Sequence, residues 1–182
     1  MIKIALTGNI ASGKSVVESI IAEFGYEVVD LDKVSHKLLE TTCKEEVLKA
    51  FNTIERQELS KIVFNNKNEL KKLENIIHPK LKEYVLNCFK ENKEENAVFI
   101  SGALIYEAGF SGLFDKIIFV DTNKDTRLIR LMKRNSISKQ EALLRINAQN
   151  NDYKNKADFI IENNSDIASL KKEVFEVLKK CL

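Results

Sequence analysis

The sequence predicts an α/β fold in which a parallel five-stranded sheet is flanked by helices and interrupted by two helical insertions. Five short segments rich in isoleucine, valine and phenylalanine are apolar through their middles, as expected for parallel strands covered on both faces. Amphipathic helical periodicity falls between them, and strands that alternate with helices require right-handed crossovers within one parallel sheet. The predicted strands are Ile2–Thr7, Glu27–Asp30, Ala97–Ser101, Lys116–Asp121 and Asp158–Glu162.

The composition limits the classes of protein to which the chain can belong. Its 182 residues suffice for about one domain with small inserted lobes, and six glycines and one proline exclude collagen-like and low-complexity chains. The net charge of +2 predicts binding neither to nucleic acid nor to a membrane surface. No apolar run has the length of a membrane helix, the amino terminus lacks a signal-peptide pattern, and the cysteines form no C-x-x-C pair. We therefore expect a cytoplasmic protein with no nucleic-acid or membrane partner.

Two stretches are longer than a simple alternation of strands and helices requires. Residues 33–95 contain several helix patterns without a convincing strand, and residues 123–156 separate the fourth predicted strand from the fifth. Pro79, the only proline, is expected to begin a helix, because the first turn of a helix needs no N–H donor at that position. Both stretches are predicted to be helical insertions into a single sheet. The remaining core consists of residues 1–32, 96–122 and 157–182.

The strongest chemical signal is a glycine-rich loop between the first strand and the first helix. Residues 8–15 read G-N-I-A-S-G-K-S, which satisfies the phosphate-loop pattern G-x-x-x-x-G-K-[ST]. Its glycines allow backbone N–H groups to surround phosphate oxygens, and the positive end of the following helix dipole points to the same place. In this arrangement Lys14 reaches the β- and γ-phosphates and the Ser15 hydroxyl ligates Mg²⁺. The sequence therefore predicts that a nucleoside triphosphate binds at this loop.

Two carboxylates lie at the end of the second predicted strand. Asp30 and Asp32 lie at its carboxyl end, where open parallel sheets bind their ligands. A carboxylate there is suited to accept the proton of an attacking hydroxyl group. The alternative is that the pair caps the helix that begins near Lys33. The sequence leaves these two interpretations about equally open.

Arginines are concentrated in the second insertion. Four of the five arginines lie within nineteen positions, at Arg127, Arg130, Arg134 and Arg145, in a chain that otherwise uses lysine. Guanidinium groups grip phosphate oxygens in pairs, and arginines that close over a transferring phosphoryl group stabilise its charge and exclude water. A solvated helix face is the alternative. Together with the loop and the acidic strand end, the cluster favours a small-molecule kinase.

An ordered series of motifs resembles the dephospho-coenzyme A kinase family over most of the chain. The loop Thr7–Ser15 is similar to that family's T-G-G-I-G-S-G-K-S, and Val29–Asp32 is similar to I-D-A-D. The loop is the one short motif that is specific by itself. For the other motifs, the resemblance depends on their order along the chain. The further matches are R-x-x-L-x-x-x-V-F at 56–64, L-E-x-I-x-H-P at 73–79, L-I-Y-E at 104–107, R-L-x-R-L-x-x-R at 127–134, Gln149, Ala157–Asp158 and Asn163.

The resemblance implies an activity and an architecture. The activity is transfer of the ATP γ-phosphate to the ribose 3′-hydroxyl of dephospho-coenzyme A, which yields coenzyme A and ADP. The architecture is a P-loop NTPase-type core with a helical substrate-binding insertion at 33–95 and a helical ATP lid at 123–156. ATP and Mg²⁺ are the implied cofactors, and dephospho-coenzyme A is the implied small-molecule partner. We expect the chain to act as a monomer or a weak homo-oligomer.

The resemblance also assigns roles to individual positions. Asp32 is implied as the general base, and the implied catalytic residues are Asp32, Lys14, Thr7 and Arg134. The implied ATP and phosphate contacts are Asn9, Ile10, Ala11, Ser12, Gly13, Lys14, Ser15, Val16, Arg130, Arg134 and Asn163. The implied substrate contacts are Asp32, His78, Leu104 and Glu107, and Ser15 is the implied ligand of Mg²⁺. For His78, a place at the start of a helix beside Pro79 is the alternative.

Several positions depart from the family's pattern. Asn9 and Ala11 replace glycines, so we expect a slightly stiffer loop. The segment 51–56 is short, which predicts a trimmed substrate lobe. The segment after Gln149 is also short and lacks an arginine, for which Lys154 or Lys156 offers a point charge but no bidentate fork.

Two other functions remain open on the sequence alone. One is a different nucleoside or nucleotide kinase that uses the same P-loop core. The other is a regulatory nucleotide-binding module that phosphorylates no small molecule. The motifs at 56–79 favour the dephospho-coenzyme A kinase over the regulatory module.

Overall fold

The computed structural model of the protein describes residues 1–64, 66–149 and 151–182, without the side chains of Phe64 and Asn151. The described chain forms two compact units. Unit 1 comprises Met1–Val29 and Glu94–Leu182, and unit 2 comprises Asp30–Lys93. The glycine-rich loop therefore belongs to unit 1, as does the described part of the second predicted insertion.

The fold is built on a parallel sheet of five strands, which confirms the predicted class. The strands are ordered β2-β3-β1-β4-β5 across the sheet. Each observed boundary lies within one residue of the predicted one, because short β-branched and aromatic runs identify covered parallel strands well. The strands are β1 (Ile2–Gly8), β2 (Val28–Asp30), β3 (Ala97–Ser101), β4 (Lys116–Asp121) and β5 (Phe159–Glu162).

The described residues also form eight α-helices and two short 3₁₀ helices, Ser111–Leu113 and Asn151–Lys156. Within the described ranges, no helix combines the length and the apolar character that crossing a membrane requires. The α-helices are α1 (Lys14–Glu23), α2 (Leu31–Glu40), α3 (Lys44–Phe51), α4 (Arg56–Phe64), α5 (Lys67–Glu91), α6 (Lys124–Asn135), α7 (Lys139–Asn147) and α8 (Ile167–Cys181).

The central strand β1 delivers the glycine-rich loop to the carboxyl edge of the sheet. β1 pairs with β3 on one side, where Leu6 lies opposite Ser101. On the other side β1 pairs with β4, where Gly8 lies opposite Val120. The residues after β1 therefore lie beside the ends of both neighbouring strands, which is where open parallel sheets bind ligands.

The main core of unit 1 lies between the sheet and two helices. Apolar side chains of α1 and α8 pack against side chains of β1, β3, β4 and β5. Complete burial of one such side chain contributes about 1.5–3 kcal/mol relative to leaving it exposed, so this cluster holds the sheet and both helices together. Fully buried members include Ile4, Val17, Phe99, Ile118 and Val174.

A smaller cluster joins the loop to helices α6 and α7. Leu128 and Leu131 of α6 pack with Ala142 and Ile146 of α7, and Ile10 and Ala11 of the loop pack against this group. Part of the second predicted insertion therefore supports the outer side of the loop through apolar contacts.

Unit 2 consists of helices α2 to α5 around a core of its own. Buried residues from all four helices form this core, and the long helix α5 contributes Ile77 to it. The other buried members are Leu39, Cys43, Val47, Phe51 and Leu59.

The predicted role of Pro79 as the first residue of a helix is wrong. Pro79 lies inside the 25-residue helix α5, and His78 therefore lies inside a helix as well. Ile77 and Leu81, on either side of the proline, are both buried. Their burial keeps the helix continuous despite the cost of an interior proline, which is about 3 kcal/mol relative to alanine.

Pro79→Ala should stabilise the protein. The proline is exposed, so its replacement sacrifices little packing, and alanine restores the missing N–H donor of the helix. We expect the free energy of unfolding in urea to rise by about 2 kcal/mol, after allowing for the greater freedom of the unfolded chain. Lys82→Ala, at an exposed position on the same helix, is the control and should change it by less than about 0.5 kcal/mol. Equal stability of Pro79→Ala and the unmodified protein would contradict this expectation.

Candidate active site

Two glycines of the loop are required by close contacts as well as by backbone conformation. Gly13 caps α1 in the left-handed conformation with φ 88°. A Cβ atom at Gly13 would lie 2.0 Å from Nδ2 of Asn163, and one at Gly8 would lie 2.6 Å from the carbonyl oxygen of Val120. Both approaches are too short for any side chain, so these positions accept only glycine without rearrangement.

The carbonyl oxygen of Ser12 is the main anchor of the loop. It accepts hydrogen bonds from Thr122 Oγ1 at 2.8 Å and from Asn163 Nδ2 at 2.8 Å. Arg130 Nη1 donates to the same oxygen at 3.3 Å. The three donors come from the segment after β4, the segment after β5 and helix α6, and both Thr122 and Asn163 are buried. Three elements therefore hold the peptide that precedes Gly13.

Arg127 and Gln149 hold the other end of the loop. Arg127 Nε donates to the Ile10 carbonyl at 3.0 Å, and Gln149 Oε1 accepts from the Ile10 N–H at 2.7 Å. Arg127 Nη2 also donates to Gln149 Oε1 at 3.2 Å. Burial lowers the pKa of Arg127, while the charge of Asp121 raises it, and the guanidinium still stays protonated at every physiological pH. Arg127 is thus a buried cation that bonds to the loop backbone.

The remaining loop amides form a nest suited to an anion. Among the described residues, the N–H groups of Ala11, Gly13 and Ser15 have no protein acceptor, whereas that of Ser12 donates to the Asn9 carbonyl. Ala11 adopts φ 60°, a left-handed conformation that costs a non-glycine residue about 1–2 kcal/mol. Unpaired amides at the amino terminus of a helix attract negative charge, so this nest fits phosphate oxygens.

Lys14 and Ser15 start helix α1 at this nest. The Lys14 ammonium donates to Glu18 Oε1 and to Ser101 Oγ, at 2.8 Å each. Ser15 is exposed, so its hydroxyl is open to a ligand, and Val16 beside it is also exposed. Thr7, the residue before the last of β1, is 2% exposed. All four side chains belong to the segment that begins in β1 and ends in α1.

The two carboxylates at the end of β2 have different surroundings. Asp30 is the cap of α2, because its Oδ1 accepts from the N–H groups of Asp32 at 2.9 Å and Lys33 at 3.3 Å. Its other oxygen lies 3.3 Å from the Lys33 ammonium. Asp32 follows in the first turn of the helix and is half-buried. The capping interpretation is confirmed for Asp30, and the role of Asp32 as a base stays a prediction.

Comparison with known proteins identifies the family. A sequence model of dephospho-CoA kinase matches residues 2–169. The dephospho-CoA kinase of Listeria monocytogenes is 38% identical over 97% of this chain and 96% of its own length. That of Fusobacterium nucleatum is 37% identical over 94% of each chain. The chain belongs to the dephospho-CoA kinase family.

Solved structures agree with membership of the dephospho-CoA kinase family. A protein from Thermus thermophilus superposes with a TM-score of 0.86 at 29% identity, over 98% of this chain and 97% of that one. A dephospho-CoA kinase from Campylobacter jejuni gives a TM-score of 0.72 at 32% identity, over 98% and 96%. A shikimate kinase from Bacteroides thetaiotaomicron gives 0.60 at 16% identity over 98% and 97%, which shows the fold alone. The prediction of an ATP-binding P-loop kinase of coenzyme A biosynthesis is confirmed.

The arginines of the second predicted insertion separate into two groups. Arg127 and Arg130 bond to the loop backbone, whereas Arg134 is exposed and donates to the neighbouring Asn135 side chain at 3.0 Å. Arg145 pairs with Glu141 at 2.7 Å. The structure therefore brings Arg130 and Asn163 to the loop backbone, and their predicted contacts with ATP, like that of Arg134, stay predictions.

The other predicted site residues lie outside the loop. Leu104 and Glu107 are exposed in the turn that follows β3, and His78 is half-buried in α5. Lys154, in the shortened segment after Gln149, lies 2.5 Å from Asp121 Oδ2. This hydrogen bond raises the pKa of Lys154. The ammonium of Lys154 therefore lies at the end of β4, beside Asp121.

Sequence reasoning missed several residues that shape the site. Arg127 and Gln149 were recognised only as parts of motifs, although Arg127 lies in the arginine cluster. Glu18 lies four residues after Lys14 in a helix, and this spacing alone signals an ion pair. Thr122 and Ser101 carried no signal, because single hydroxyl residues at strand ends have many structural uses.

Gly13→Ala should weaken the binding of ATP. The added methyl group must displace Asn163 from the Ser12 carbonyl, which removes a donor from the loop's anchor. We expect ATP affinity, measured by isothermal titration calorimetry, to fall by at least about tenfold.

Gly25→Ala is the matched control for this substitution. Gly25 has φ 90°, almost the same as Gly13, but a Cβ atom there meets nothing within 4 Å. It should cost about 1–2 kcal/mol of stability in thermal unfolding and leave ATP affinity unchanged. Equal ATP affinity of the two variants would refute the importance of the Asn163 contact.

Proposed function

We propose that the chain transfers the γ-phosphate of ATP to the ribose 3′-hydroxyl of dephospho-coenzyme A. The supporting observation is the braced phosphate loop of a chain that belongs to the dephospho-CoA kinase family. In the reaction, the 3′-oxygen forms a bond to the γ-phosphorus while the bond from that phosphorus to the β,γ-bridging oxygen breaks. The products are coenzyme A and ADP.

ATP binds the loop in this proposal. The amides of Ala11, Gly13 and Ser15 face the phosphate oxygens, and Lys14 and Arg134 stabilise the negative charge that spreads over the transferring group. Thr7 lies near the reaction centre. Further proposed contacts with ATP and its phosphates are Asn9, Ile10, Ser12, Val16, Arg130 and Asn163, with Asn163 bordering the adenine.

Mg²⁺ is the proposed metal, and the Ser15 hydroxyl is its proposed protein ligand. The described residues contain no cluster of three or more His, Cys, Asp or Glu side chains that would hold a metal. This fits Mg²⁺, which usually retains waters and binds one or two protein groups together with the phosphates of a substrate. When bound, Mg²⁺ neutralises charge on the β- and γ-phosphate oxygens.

Asp32 is the proposed general base that takes the proton from the 3′-hydroxyl group. The Asp30 carboxylate accepts the capping hydrogen bonds of α2, so the capping requirement is met without Asp32. Asp32 lies two residues after Asp30, in the first turn of α2 and after a strand of a parallel sheet, where such sheets bind ligands. A carboxylate in this role supplies about 10²–10⁴-fold in rate.

Unit 2 is the proposed binding unit for dephospho-coenzyme A. It contains an open pocket of about 800 Å³, whose lining includes Arg56, Ser60 and Lys61 together with the carboxylates of Glu40 and Glu55. The two basic side chains suit the diphosphate group of the substrate, since guanidinium and ammonium groups bind phosphate oxygens. His78, Leu104 and Glu107 are proposed as further substrate contacts.

A direct assay tests the acceptor. With ATP and Mg²⁺, addition of dephospho-coenzyme A should release ADP and yield coenzyme A, measured by coupled ADP detection and mass spectrometry. AMP and free nucleosides, assayed in parallel, should give no more ADP than the sample without acceptor. Release of ADP with AMP but not with dephospho-coenzyme A would indicate a nucleotide kinase, and release that needs no acceptor would indicate a nucleotide-hydrolysing module.

Asp32→Asn should lower kcat by about 10²-fold or more, because an amide cannot accept the proton of the hydroxyl group. Its affinity for ATP, measured by calorimetry, should match that of the unmodified enzyme. Asp30→Asn is the matched control, since asparagine caps helices about as well as aspartate and kcat should change little. A kcat for Asp32→Asn equal to that for Asp30→Asn would refute the base assignment and leave the kinase activity intact.

A further inference from the structure

Three polar side chains of unit 1 form a closed triangle beside the phosphate loop. The Lys14 ammonium donates to Glu18 Oε1 at 2.8 Å and to Ser101 Oγ at 2.8 Å. The Ser101 hydroxyl donates in turn to the same oxygen, Glu18 Oε1. Each of the three polar groups is therefore bonded to the other two.

This triangle is shielded from water and held in place. The side chains of Lys14 and Glu18 are 15% and 14% exposed, whereas those of the ion pair Lys171–Glu23 are 45% and 57% exposed. Solvent screens the exposed pair more strongly, so the attraction between Lys14 and Glu18 is the less screened of the two. Ser101 is fully buried at the end of β3, opposite Leu6 of β1, and its hydroxyl fixes the position of the Glu18 carboxylate.

The nucleotide competes for the same ammonium group. In a phosphate loop the lysine reaches the β- and γ-phosphate oxygens. An ammonium has three N–H donors, and here Lys14 directs two of them to Glu18 and Ser101. The carboxylate is also a negative charge beside the position that the phosphates occupy, and like charges repel. Binding of a triphosphate therefore exchanges one anionic partner of Lys14 for another.

We propose that Glu18, oriented by Ser101, is a positioning residue for Lys14. In the absence of nucleotide, the Glu18 carboxylate holds the Lys14 ammonium at the carboxyl end of β3. When phosphates bind, they take the place of this carboxylate beside the ammonium. The inference rests on the proposed ATP site and is independent of the acceptor and of Asp32. One consequence is selectivity for ligands of high charge, because only a polyphosphate outcompetes the carboxylate.

The test measures phosphate binding without a metal or an acceptor. Pyrophosphate and ATP are titrated in the presence of EDTA into the full chain and into Glu18→Gln, which keeps the size of the side chain and removes its charge. We expect Glu18→Gln to bind both ligands about tenfold more tightly, as loss of a competing and repelling charge requires. Glu23→Gln, which removes the same charge from the exposed pair on the same helix, should change the affinity by less than about twofold.

Unchanged or weaker pyrophosphate binding by Glu18→Gln would overturn the proposal. If thermal unfolding shows that this variant does not fold, Ser101→Ala decides in its place. Ser101→Ala loosens Glu18 without removing its charge, so it should tighten pyrophosphate binding by about threefold, and unchanged or weaker binding would again overturn the proposal. An inactive enzyme toward dephospho-coenzyme A would refute the proposed acceptor, but it would leave these affinities as they are.

Steady-state kinetics with ATP and Mg²⁺ separate positioning from a structural effect. Glu18→Gln should lower the KM for ATP by more than it changes kcat, because Lys14 no longer has to leave the carboxylate and the phosphates displace Glu18 before the reaction. A merely structural defect does not improve the apparent affinity for a substrate. An increased KM for ATP in this variant would therefore count against the positioning role.

Discussion

The phosphate loop depends on the hydrogen bonds that converge on one carbonyl oxygen, that of Ser12. Thr122, Arg130 and Asn163 all donate to it, and they come from three different segments of unit 1. A buried polar group that loses its partner costs about 1–3 kcal/mol, which is a large part of the stability of a small protein. With its carbonyl side fixed in this way, the loop presents its amides on the opposite side, toward an anion.

Helix α6 supports the phosphate loop, a role that its cluster of arginines indicated only indirectly. Arg127 and Arg130 bond to carbonyl oxygens of the loop, and Leu128 and Leu131 of the same helix belong to the cluster that receives Ile10 and Ala11. Polar and apolar contacts thus bind α6 to the loop from the same side. These contacts run from Arg127 to Leu131, so they fix the middle of α6 against the loop.

The sequence predicted the sheet well and the details of the site less well, for physical reasons. The strands are covered on both faces, so composition alone located their ends to within one residue. Pro79 was misplaced because burial of Ile77 and Leu81, which is a tertiary effect, outweighs a local helix preference. Asp30 and Asp32 were not separable, since which carboxylate caps a helix depends on where the helix begins. The loop was recognisable because its close backbone approaches demand glycine at fixed spacing.

The bond from Asn163 to Ser12 spans 151 positions of the chain. Asn163 also fills the space beside Gly13, so the shape of the loop depends on a residue near the opposite end of the polypeptide. During synthesis, which proceeds from the amino terminus, a nascent chain carries the complete loop motif long before it carries this donor. The anchor of the loop is therefore completed late, and a chain truncated before its last strand has the motif without one of the three donors to the Ser12 carbonyl.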